Sequence, residues 1–232
     1  MIPLRDNIRT LRPAVVNWCV IGACVAVFIW QLSQPDLGVA YAFVPRDLIS
    51  PQAWHERGFV GLVGAIFLSM FMHGGLLHIG FNMLFLWVFG DNVEDVLGRG
   101  RYLLFYLTCG LIAVLAHTLA SGFGTIPIVG ASGAIAGVLG GYWILFRGAR
   151  VRALIPLFFL WTIMEVPAWI FLGLWFFLQL LSGLGSLGAA GGGGVAFWAH
   201  IGGFIAGALL VKRFRPPRPG FRGAPIVRVK FD

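Results

Sequence analysis

Of the 232 residues, 59% are hydrophobic and 11% charged, and the mean hydropathy is +0.87. Soluble domains carry about 25% charged residues, so this chain has too few to face water all round. Its net charge of +8 would suit a nucleic-acid partner, but the placement of the charges excludes that class.

Runs of roughly 17 to 25 mainly apolar residues, the length that crosses ~30 Å of hydrocarbon, recur along the chain. They predict spans over 14–33, 76–96, 101–120, 131–147, 165–182 and 195–211. The first run lacks a cleavage site and is expected to stay as a helix. Between the first two spans, 33–74 holds Phe43, Trp54 and Phe59 and is expected to form short helices in the outer interface. Residues 154–164 are placed along the inner surface. Glu165-Val166-Pro167 predicts a helix start, with a carboxylate and a proline in the first turn. The connection 182–194 is rich in glycine and uncharged, and 213–232 is expected to be a solvated basic tail. No internal repeat is visible.

With these spans, all of the 17 Lys and Arg residues except Arg46 and Arg57 fall on one side of the membrane. That bias puts both termini in the cytoplasm. The division is a cytoplasmic segment 1–13, a helical bundle 14–212 and the tail 213–232. Cys19, Cys24 and Cys109 lie inside apolar spans and are expected to pack without a disulfide.

Three polar patches interrupt the apolar pattern, each at the outer end of a span. In the first, His78 and Asn82 stand four apart and share a helix face. In the second, Gly130-Ala131-Ser132-Gly133 opens a span of only about 24 Å, so its first turn lies below the outer surface. Serine is also a common N-cap, and that ordinary role competes here. The third is Ala199-His200-Ile201-Gly202-Gly203. Gly133, Gly137 and Gly141 form one smooth stripe, and Ala199, Gly203 and Gly207 form another. Such stripes pack closely, which would bring Ser132 and His200 together. A hydroxyl beside a neutral imidazole suits acyl transfer, with Ser132 N–H, Asn82 and His78 as donors to an oxyanion. Asp91, Glu94, Asp95 and Glu165 all fall near the inner side, so a dyad is expected rather than a triad. No His-Glu-x-x-His occurs, and no metal or other cofactor is expected. His55 and His117 are taken as ordinary residues.

From His73-Gly74, His78 and Asn82, through Gly130-Ala131-Ser132-Gly133, to Ala199-His200-Ile201-Gly202-Gly203, the sequence resembles the rhomboid family of intramembrane serine proteases. The resemblance covers 73–211. It implies an all-α membrane protein, a six-transmembrane-helix bundle around a water-filled cavity open to the outer face of a plasma or inner membrane. It also implies Ser132 as nucleophile, His200 as general base and acid, and an oxyanion hole of Asn82, His78 and Ser132 N–H. His73, Gly130, Gly133 and Gly203 would be supports. Family substrates are typically single-pass transmembrane proteins, cut in or near the helix beside a small residue, so membrane lipid and membrane proteins are the expected partners. Two positions depart from the family. Ala136 stands where members often stack an aromatic on the histidine, which leaves the means of holding His200 open. Gly64-Ala65 stands where many carry a tryptophan–arginine pair. The competing class is a catalytically silent rhomboid-like protein that captures transmembrane clients; a channel lacks the ionisable pathway it would need.

Overall fold

The computed structural model describes residues 1–34, 40–157, 160–186 and 196–216. In chain order these form β1 (Ile2–Asp6), α1 (Val15–Ser33), a 3₁₀ turn (Pro45–Ile49), α2 (Pro51–Ser69), α3 (Leu76–Leu97) and α4 (Arg99–Ala120). Then follow α5 (Ser132–Leu145), β2 (Arg150–Leu157), β3 (Leu160–Pro167), α6 (Ala168–Ser186) and α7 (Phe197–Phe214). The fold is mostly helical. Among the described residues, α1, α3, α4 and α6 are long and apolar enough to cross a membrane.

The core sits around α5, whose residues from Gly133 to Tyr142 are all buried. This helix has 14 residues, about 21 Å of rise, and three helices enclose it: α7, α4 and α3. Glycine sets the closest approach. A Cβ placed on Gly203 would fall on the Gly133 carbonyl, one on Gly207 on the Gly137 carbonyl, and one on Gly140 on the Phe204 carbonyl. The two helices therefore touch backbone to backbone, along the stripes visible in the sequence.

The expectation of an all-α chain is overturned. β1, β2 and β3 form an antiparallel sheet in that order, with Arg152 opposite both Arg5 and Glu165. Residues 154–157 and 160–164 of the stretch placed along the inner surface thus belong to two paired strands. Along β2, Val151 and Ala153 are fully buried while Arg150 and Arg152 point away, the two-residue alternation of a half-buried strand. Glu165 does not open a helix. It lies within β3, pairing with Arg150 at 3.6 Å and Arg152 at 3.5 Å, and α6 starts after Pro167.

Within the N-terminal segment 1–13, β1 joins the fold by pairing with β2. In the connection between α1 and α3, α2 is longer than foreseen and breaks at Gly58, whose φ of 60° permits the bend. Ser50 caps α2 by accepting from Ala53 N–H, with Pro51 at its first position. The expected tail starts later than 213, because α7 runs to Phe214; positions 217–232 lie outside the described residues, as does most of the 182–194 connection.

Candidate active site

Ser132 is the first residue of α5, following Ala131 as N-cap. Its hydroxyl does not cap the helix. Instead Oγ lies 2.8 Å from Nε2 of His200, four residues into α7. The glycine contacts between α5 and α7 explain this meeting, since only bare backbones allow the two helices so near. On the opposite ring edge, His200 Nδ1 lies 2.8 Å from Oε1 of Gln179 in α6. An amide oxygen can only accept, so the ring proton sits on Nδ1 and Nε2 presents its lone pair to the Ser132 hydroxyl. Trp175, one turn before Gln179, tilts over the imidazole at 5.9 Å between ring centroids. His200 itself is 8% exposed.

Gly130 precedes the serine with φ +134°, a backbone state that side chains other than glycine's rarely adopt. Its N–H donates to the Ser69 carbonyl at 2.9 Å, fastening the turn to α2. A Cβ at Gly130 would lie 2.9 Å from both Cε1 and Nε2 of His78, so the His78 ring edge faces this turn. His78 Nδ1 accepts from Gly74 N–H at 3.3 Å, which leaves Nε2 as the N–H edge directed there. One turn deeper on α3, Asn82 is 8% exposed and its buried Nδ2 has no partner among the described residues. Buried amide donors are seldom left unmatched, which sets this one apart on α3. The N–H of Ser132 is likewise one of the four at the start of α5 without an intrahelical partner, at the positive end of the helix dipole.

His73 is a support. Gln31 of α1 accepts its backbone N–H at 2.9 Å, and its Nδ1 donates to the Phe71 carbonyl at 3.1 Å. Its ring meets His78 edge-on at 5.2 Å. Burial, then the neighbouring His78, push its pKa down to about 4, so it is neutral at physiological pH. Gly133 and Gly203 face each other at the α5–α7 contact. The structure thus brings Ser132, His200, His78 and Gly130 together, with Asn82 a turn along the same face. Sequence reasoning missed Gln179 and Trp175. A lone glutamine in a run of Leu and Phe was the available signal, because such an amide must find a partner. Among the described residues no cluster of His, Cys, Asp or Glu is arranged to hold a metal.

Residues 57–216 match the family model of the Rhomboid domain. The chain belongs to the rhomboid family. This rhomboid is 30% identical over 213 residues to the Rhomboid protease GlpG of Salmonella paratyphi A, covering 86% of this chain and 63% of that protein. It is 28% identical over 204 residues to the mitochondrial Rhomboid protein 1 of Saccharomyces cerevisiae, covering 85% and 53%. A shorter match, 35% over 102 residues, joins it to the Rhomboid protease GluP of Bacillus subtilis and covers 44% and 18%. The chain therefore spans less than two thirds of the length of each of these relatives. With four helices of spanning length and composition, this rhomboid is a multi-pass integral membrane protein.

Proposed function

We propose that this rhomboid is an intramembrane serine endopeptidase acting through a Ser132–His200 dyad. The observation that carries the proposal is the 2.8 Å contact between Ser132 Oγ and an imidazole nitrogen whose other nitrogen is already committed as a donor. In that arrangement His200 Nε2 takes the hydroxyl proton as Oγ bonds to the scissile carbonyl carbon. The carbonyl electron pair moves onto oxygen, where Ser132 N–H, Asn82 Nδ2 and His78 Nε2–H donate to it. Collapse expels the amine, which receives its proton from His200, and leaves an acyl ester on Ser132. A water, deprotonated by His200, attacks the ester, and the serine leaves with the proton returned. Neutral amide and imidazole donors suit this depth, since an unpaired ion in hydrocarbon costs several kcal/mol.

The bundle is proposed to cross the membrane six times, α5 and α7 included, with both termini and the sheet on the cytoplasmic side. The basic residues support that orientation. Because α5 is about 21 Å long in a ~30 Å slab, Ser132 would lie below the outer rim of a plasma or inner membrane. The substrates are proposed to be single-pass transmembrane proteins, cut in or near the helix. Relatives named as rhomboid proteases support a proteolytic role.

A fluorophosphonate probe tests this in detergent. Wild type is expected to be labelled, and Ser132→Ala to lose both labelling and cleavage of a helix-bearing reporter, by on the order of 10⁴-fold or more, while its thermal unfolding stays unchanged. Well-folded wild type that captures the reporter but neither labels nor cuts would overturn the enzyme in favour of a client-binding protein.

A further inference from the structure

The base of a serine dyad needs its ring held in one tautomer and one orientation. Here the usual holders are missing: Ala136 stands fully buried one turn after Ser132, and no carboxylate contacts the imidazole among the described residues. Both contacts that fix the ring come from α6. Gln179 Oε1 accepts a hydrogen bond from Nδ1–H, and Trp175, four residues earlier on the same face, covers the ring plane. The same seam continues inward. Phe176 stacks on Phe204, one turn beyond His200, at 4.7 Å and 27°. Toward the outer end, a Cβ at Gly183 would meet Ile201 at 3.1 Å, so α6 and α7 are in close contact on both sides of Gln179.

We propose that Gln179 is the positioning residue for His200: from α6, its amide oxygen selects the tautomer that leaves Nε2 ready to accept the Ser132 proton. This rests on the dyad proposed above and deepens it. An amide orients the ring without placing a buried negative charge beside it, a charge that would be costly at this depth. It carries no charge to stabilise the imidazolium, so its contribution is alignment. An amide turned end for end would offer N–H to Nδ1, select the opposite tautomer and leave Nε2 protonated against Ser132. Readiness of the base thus depends on α6 being seated with the Gln179 oxygen inward.

Two variants of similar length remove the acceptor, Gln179→Leu and Gln179→Met, and one retains it, Gln179→Glu. Cleavage of a transmembrane reporter and fluorophosphonate labelling are measured beside thermal unfolding in detergent. For Leu and Met, kcat is expected to fall about 10-fold to 10²-fold with KM unchanged, and labelling to slow in parallel. Glu is expected to recover most of that loss. Wild-type kcat in folded Leu and Met variants would overturn the inference. So would equal losses in all three, because packing rather than an acceptor would then be what matters. Labelling of wild type that survives His200→Ala would remove the dyad and this inference with it. Labelling that needs His200 but is indifferent to Gln179 removes the inference alone.

Discussion

The serine end and the sheet end of this bundle both bury polar side chains, but they use them differently. At the sheet end most donors and acceptors close on one another, although Asn92 Oδ1 has no partner among the described residues. Glu94 accepts from Val16 N–H at 3.1 Å and Asn17 N–H at 2.7 Å, capping α1, whose N-cap Ala14 has no side chain to do so. The fully buried Asn17 donates to the Leu86 carbonyl at 3.1 Å and accepts from the Tyr102 hydroxyl at 2.7 Å. Asp6 accepts from Asn92 at 2.8 Å and from the Tyr142 hydroxyl, tying β1 to α3 and α5. At the serine end, Asn82 Nδ2 and the first N–H groups of α5 have no partner among the described residues, beside a serine held by a histidine. Closed polar networks staple helices together; the proposed function gives the open donors a different use.

The largest effect that separates the two ends is expected from Asn82→Ala. Losing one oxyanion donor should lower kcat by about 10²–10³-fold, or about 2.7–4 kcal/mol, with little change in unfolding. A large loss of stability with normal kcat would make Asn82 a staple like those at the sheet end and break the contrast. The reciprocal change is Glu94→Gln, which leaves one N–H of α1 without its acceptor. It should cost about 1.5–3 kcal/mol in thermal unfolding while fluorophosphonate labelling of the folded fraction is kept.

The smallest effect is a pH dependence at Asp6. Burial raises its pKa from 3.8 to about 6, against the pull of the Tyr142 hydroxyl and the Ile8 N–H. The native state therefore binds the proton more tightly than the unfolded chain does. Its contribution is fully present below about 4 and is lost as pH rises through about 6. Asp6→Asn should gain melting temperature relative to wild type as pH is raised from 4.5 to 7.5, on the order of 2–4 °C for each kcal/mol. A difference independent of pH would show that Asp6 titrates as it does in the unfolded chain.

Much of this was legible in the sequence, for physical reasons that can be named. Helices lie at all six apolar runs, because a run of that length and composition has few other ways to satisfy its backbone. The meeting of Ser132 and His200 followed from glycines at four-residue spacing on both helices. The sheet was not legible. Short apolar stretches such as 150–157 and 160–167 do not distinguish strand from buried helix by periodicity, and the partner β1 lies some 150 residues away. Gln179 was missed because nothing in its own neighbourhood announces that its partner is a histidine on another helix.

The backbone contact of Gly133 with Gly203 and of Gly137 with Gly207 acts as a ruler. Side-chain packing yields gradually, but a carbonyl pressed against a neighbouring α-carbon has almost no give, so the gap between the reacting atoms is gauged by main-chain thickness. A single added methyl at Gly203 or Gly207 is a wedge whose width is comparable to the tolerance of proton transfer. A side chain at either glycine would therefore force α5 and α7 apart, although neither residue belongs to the proposed dyad.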